Sequence, residues 1–102
     1  MDYANHLGYS DVNPFEIIRR VSDKTFEVRR MRAERDPSWK PEFIPGGFCG
    51  HVPNQRDQKW LISSDPDRPV IRIRLGKNGW KDSHGNRYEL SDKPVKFYDY
   101  NF

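Results

Sequence analysis

The sequence predicts an all-β fold, a small SH3-like barrel or alternatively an OB-like one, with one long irregular loop. Three observations predict it. Short apolar stretches alternate with charged residues at a period of two, clusters of turn-forming residues separate them, and no stretch repeats with a helical period. The 102 residues suit a single domain, 1–102, of a size that buries about two-thirds of its unfolded surface. A hydrophobic fraction of 34% and a charged fraction of 32% lean towards disorder. The 14% of aromatic residues argue the other way, because each buried ring removes about 150–250 Å² from water.

Residues 1–13 are polar without clear periodicity and read as an N-terminal tail, from which Tyr3, Leu7 and Tyr9 are able to tuck against the barrel. Asn13-Pro14 favours a turn. Residues 15–35 then form a long hairpin around which the other strands are organised. Phe15, Ile17 and Val21 share one parity, Ser22-Asp23-Lys24 is a polar turn, and Phe26 and Val28 resume the pattern. The apolar face switches between Arg29 and Arg30, since Met31 and Ala33 have the other parity. Either a β-bulge or a loss of burial explains the switch.

Residues 36–57 form a long Pro/Gly-rich loop, with Pro37, Pro41, Pro45 and Pro53 and three glycines, Gly46, Gly47 and Gly50. Its length exceeds that of ordinary connections in a compact domain, and loops of this kind are often functional or pinned by their own side chains. Trp39, Phe43, Ile44 and Phe48 are available for that. Residues 58–63 make a strand with Trp60 and Ile62 on one side, and the segment from Ser64 to Pro69 is a turn. The cleanest alternation lies at 70–75, with Ile71, Ile73 and Leu75 inward and Arg72 and Arg74 outward. Asn78-Gly79 is a strong hairpin signal and predicts a type I′ turn. Short strands follow from Trp80, at 87–90 with Tyr88 and Leu90 inward, and at 95–100.

The net charge of +3 is unevenly placed. Residues 15–35 hold seven basic and four acidic side chains, an excess equal to that of the whole chain. A local excess of this kind attracts anions, although a solvated face laced with Arg–Glu pairs is the simpler reading. The single cysteine, Cys49, excludes an internal disulfide and fits a reducing compartment. The N-terminus has neither a basic nor an apolar leader segment, and no apolar run reaches the length of a membrane span. The expected location is the cytoplasm, with no membrane partner.

Cys49-Gly50-His51 offers two metal-ligating residue types, but a structural zinc site takes four ligands and no second cysteine exists. No metal site is expected. Gly46, Gly47 and Gly50 lack the lysine and the following helix of a phosphate loop, so turn formation accounts for them. Asp65, Asp67, Asp82 and Asp92 sit in or beside turns, where Asp is expected for its own hydrogen bonding. With no acid–base–nucleophile set and no cofactor motif, the sequence points away from an enzyme and towards no cofactor. The remaining signal is basic residues interleaved with aromatics. Arginine forks bind phosphates bidentately, and aromatic faces stack on bases. The candidate ligand-binding residues are Arg29, Arg30, Arg32, Trp39, Phe48, His51, Arg72 and Arg74.

Four stretches together resemble a family of small uncharacterised proteins encoded by bacteriophages and mobile elements. They are Tyr9-Ser10-Asp11-Val12-Asn13-Pro14, the run from Trp39 to Phe48, Gly76-Lys77-Asn78-Gly79-Trp80, and the terminal Tyr98-Asp99-Tyr100-Asn101-Phe102. The resemblance spans nearly the whole chain and carries no residue role. It implies a setting, that of an accessory protein in the host bacterial cytosol, where such proteins commonly block host machinery. The expected function is therefore non-enzymatic counter-defence, by binding a host defence protein such as a CRISPR effector or an anionic nucleotide messenger. A homo-oligomer is one way to build the pocket. A single-stranded nucleic-acid-binding barrel is the alternative.

Overall fold

The computed structural model describes residues 1–40 and 58–99, and the fold is all-β with no helix among them. Nine strands follow in chain order: β1 (Tyr3–Leu7), β2 (Val12–Asn13), β3 (Phe15–Ser22), β4 (Thr25–Arg30), β5 (Arg32–Arg35), β6 (Trp60–Ser63), β7 (Val70–Gly76), β8 (Gly79–Lys81) and β9 (Arg87–Ser91). Six of them, β1-β3-β4-β7-β8-β9, close into an antiparallel barrel because β9 pairs back on β1, and β2 is an extra strand on β1. Strands β5 and β6 form a separate two-stranded sheet. This is the small barrel of SH3-like or OB-like type that the alternation predicts. Around its ring the strands follow chain order.

The long hairpin is present, with two departures from simple alternation. Its register shifts between Ile17 and Arg19 and between Arg20 and Ser22. The bulges therefore lie in β3, and they turn Ile18 (43% exposed) and Val21 (41% exposed) outward. No bulge is needed at Arg29–Arg30. Strand β4 ends at Arg30, Met31 is buried with its amide on the Pro14 carbonyl (3.0 Å), and β5 starts at Arg32 in the other sheet. A change of sheet thus produces the change of face.

Residues 1–13 are not a tail. Strand β1 has five register partners on β9, from Tyr3↔Ser91 to Leu7↔Arg87, and it closes the barrel. Its pattern escapes a hydrophobic search because its two buried residues are Ala4 and Asn5. Ala4 joins the core, while the Asn5 side chain donates to the Lys93 carbonyl (3.1 Å) and accepts from the Val95 amide (2.9 Å). The segment that follows β9 is held here by hydrogen bonds, and the expected last strand is reduced over its described part to one bridge, Val12↔Phe97.

The core comprises Ala4, Phe15, Phe26, Val28, Ile73 and Tyr88, with Ile17, Ile71, Trp80 and Leu90 packed against it. Phe26 stacks on Trp80 with ring centroids 4.4 Å apart, and Phe15 meets Tyr88 edge-on at 5.3 Å. Such pairs add about 0.5–1.5 kcal/mol beyond their area. Leu75, expected inward, is 39% exposed near the end of β7. The β7–β8 turn is not type I′. Its two central residues are Lys77 and Asn78, between the paired Gly76 and Gly79, and the positive φ (101°) falls on Gly79. At 36–40, the Ser38 amide donates to the Asp36 carboxylate (2.9 Å) and Trp39 is buried. The remainder of the expected loop, 41–57, lies outside the described residues. No described helix is long and apolar enough to cross a membrane.

Candidate anion-binding surface

The eight sequence candidates do not form one cluster. Arg72 and Arg74 project from β7 into a groove, Arg30 and Arg32 line a second cavity, and Arg29 belongs to neither. Trp39, a candidate for both loop packing and ligand binding, is buried at 6% exposure. Phe48 and His51, together with Cys49, lie outside the described residues.

Arg29 is occupied structurally. Its guanidinium donates to Glu16 Oε1 at 2.8 Å, with both side chains mostly buried. The other Glu16 oxygen accepts from Ser64 Oγ at 2.7 Å. The next row outward is Arg19–Glu27–Arg72, across β3, β4 and β7. Glu27 accepts from Arg19 Nε at 2.8 Å and from Arg72 Nε at 3.3 Å. Desolvation pulls the Glu27 carboxyl upward, but the bonds and charges of Arg72 and Arg19 outweigh it and hold the group below its ordinary value.

The third row breaks this compensation. Register places Arg74 between Thr25 on β4 and Lys81 on β8. Two cations face each other directly, an arrangement that costs stability in a sheet. Neither forms an ion pair among the described residues. Strand β8 has only three residues, so the chain turns away from β7 after Lys81 and leaves a groove of about 470 Å³. Arg72, Arg74, Lys77, Lys81 and His84 surround it, and Ile71 and Leu75 add apolar surface. This volume falls within the range of small-molecule sites.

The one carboxylate in the groove is committed to its own turn. Asp82 Oδ1 accepts from the amides of His84 (2.9 Å) and Asn86 (3.0 Å), and Oδ2 accepts from Asn86 Nδ2 and Tyr88 Oη, both at 2.9 Å. Burial alone would push its pKa up, but these bonds hold it below the ordinary value, so Asp82 stays an anion whose lone pairs are taken. Its charge offsets part of the basic field without providing a free acid or base. Among the described residues, no three or more His, Cys, Asp and Glu side chains are grouped to hold a metal ion.

The second cavity, of about 280 Å³, lies at the other end of β4. Arg30 is the last residue of that strand and Thr25, the partner of Arg74, the first. Five residues of extended chain put the two regions about 17 Å apart along the strand. Around this cavity stand Arg30, Arg32, Arg68 and Lys96, with Glu34 and Asp65.

Comparison with known protein families, with curated proteins and with solved structures returns no match.

The sequence candidates omit Lys77, Lys81, His84, Arg68 and Lys96. Register would have found Lys81, since a turn centred on Lys77-Asn78 puts it opposite Arg74. A turn centred one residue later places Ser83 there instead. For Lys96, which comes to Arg30 from far along the chain, the sequence contains no local signal.

Proposed function

We propose that this chain is a non-enzymatic binding protein that captures an anionic nucleotide in the β7–β8 groove. The observation that carries the proposal is Arg74 placed opposite Lys81, with no carboxylate paired to either among the described residues. A protein that needs only a stable barrel gains nothing from that juxtaposition, whereas a phosphate-bearing ligand relieves it. Arg72, whose Nε is bonded to Glu27, presents its terminal guanidinium nitrogens to a phosphate, and the apolar surface of Ile71 and Leu75 suits a base or sugar. In the setting implied by the resemblance to phage-encoded proteins, such a protein acts as a counter-defence factor. It sequesters a nucleotide messenger of a host immune pathway, or engages a host defence protein through the same basic face.

A second reading, single-stranded nucleic-acid binding, is favoured by the groove's open form and the succession of cations Arg72, Arg74, Lys77 and Lys81 along it. Each neutralised phosphate of a single strand contributes about −0.7 to the slope of log affinity against log salt. A polynucleotide contacting several cations therefore shows a steep slope, and a mononucleotide a shallow one.

The test is Arg74→Glu. The substitution replaces a repulsive cross-strand pair by an attractive one, so the variant is expected to melt at or above the wild-type temperature. Binding of a fluorescent nucleotide or a labelled oligothymidylate, measured by anisotropy across a salt series, should fall by roughly tenfold or more. Unchanged binding of both probes, or no binding by the wild type, removes the groove from the function.

A further inference from the structure

We propose that Arg30 and Lys96, gathered at the side chain of Asn13, form a second site, one that binds a single phosphate group. Asn13 Oδ1 accepts from Lys96 Nζ at 2.7 Å and from Arg30 Nη2 at 3.3 Å. Two cations thus converge on one neutral oxygen. Neither has an ion-pair partner among the described residues.

The surroundings make the arrangement deliberate. On its other side, the Asn13 amide nitrogen lies 3.4 Å from His6 Nδ1, which leaves the carbonyl oxygen facing the cations. Lys96 Nζ stands over the Trp60 ring, 5.5 Å from its centroid, so the ammonium is held from two directions. The cavity's buried carboxylate, Asp65, does not reach the pair. It is shared by Arg32 at 4.0 Å and Arg68 at 3.6 Å, on the same cavity wall. Glu34, also in the lining, is exposed and forms no ion pair among the described residues. Four cations against two carboxylates leave the lining of the cavity net positive.

Burial, and then the charge of Arg30, depress the affinity of Lys96 for its proton, and Asp11 offsets this only in part. An anion seated between the two cations removes the penalty. The Arg30 fork and the remaining Lys96 donors suit the tetrahedral oxygens of a phosphate. The site differs from the groove in its residues and is independent of the reading given to the groove.

The experiment is an NMR titration of the ¹⁵N-labelled protein with inorganic phosphate and, in a parallel arm, with a nucleoside monophosphate, at constant ionic strength set with chloride. Saturable shifts are expected at the Asn13 side-chain amide and at Arg30 Nε–H. Arg30→Gln should weaken the affinity by roughly tenfold or more. The Lys96 ammonium, followed through its ¹³Cε, should gain proton affinity on saturation. Arg30 is exposed, so Arg30→Gln remains a usable variant if Lys96→Gln fails to fold. Tighter binding of the monophosphate would identify the phosphate as part of a nucleotide, and equal binding would identify the free ion. Shifts that grow linearly without saturating, or that survive Arg30→Gln unchanged, overturn the proposal. So do shifts abolished by Arg74→Glu with Arg30 intact, since these would trace phosphate to the groove alone.

Discussion

The hydroxyl of Tyr88 donates to Asp82 Oδ2 at 2.9 Å, tying the turn beside the groove to a residue of the barrel core. Tyr88 is buried, its ring packs edge-on against Phe15, and the same Asp82 closes the 82–86 turn through three further hydrogen bonds. Tyr88→Phe keeps the ring and deletes the bond. It is expected to cost about 1–2 kcal/mol, read from the midpoint of urea unfolding. Asp82→Ala removes all four bonds and should cost more. If the two variants unfolded at the same urea concentration as the wild type, the turn would have to be held by something else.

The same pair contributes to the pH dependence of stability at both ends. The folded Asp82 carboxyl lies below its ordinary 3.8. Its contribution is therefore full above that value and is lost as pH falls through the folded pKa. Tyr88 behaves in the opposite sense. Burial, and then the bond to Asp82, push its pKa above the ordinary 10.0, so its contribution is full below pH 10 and is lost as pH rises towards the folded value. Melting curves should show a wild-type loss on both sides. Asp82→Asn should flatten the acid limb, and Tyr88→Phe the alkaline limb. Limbs unchanged in both variants would assign the pH dependence to other groups.

How much of this was legible in the sequence depended on whether side chains alternate in hydrophobicity. Strand β7 has that alternation, with Ile71 and Ile73 against Arg72 and Arg74, and it forms as expected. Strand β1 lacks it, because Ala4 contributes little apolar surface to the core and the other buried residue, Asn5, is satisfied by hydrogen bonds exchanged with Lys93 and Val95, 88 and 90 residues away. No window along the chain contains that information. The site was limited differently. Arg72 and Arg74 are legible as outward cations, but the meaning of Arg74 comes from Lys81, and a one-residue error in the turn conceals that pairing.

Trp39 is a candidate contact residue, and it is buried, which suits a packing role. Its amide bonds the Asp36 carbonyl at 3.0 Å, directly after β5, while the Asp36 amide bonds Lys59 beside β6. Trp39 thus stands immediately after the point where β5 and β6 end their pairing. Trp39→Ala should cost about 3–5 kcal/mol through loss of the buried ring. Trp39→Phe should recover much of it. A variant that melted normally and lost only ligand binding would restore Trp39 to the ligand site.

Arg29 provides the contrast with Arg74, since it too lies on a strand of the barrel but has its anion built in. Glu16 binds it at 2.8 Å, with 20% and 17% of the two side chains exposed. The buried Arg29 Nε has no hydrogen-bond partner among the described residues, so the pair already bears some unmet polarity. Removing one member strands the other. Arg29→Ala is expected to destabilise by about 2 kcal/mol or more. Arg29→Glu should be worse, because it sets a second carboxylate beside Glu16. Binding of anions by the variant that remains folded should match the wild type. The decisive comparison is chemical denaturation alongside anisotropy for Arg29→Ala and Arg74→Glu: loss of stability without loss of binding in the first, and the reverse in the second. Equal effects on binding would mean that the basic residues act as a diffuse field, and the division between structural and ligand-binding arginines would fail.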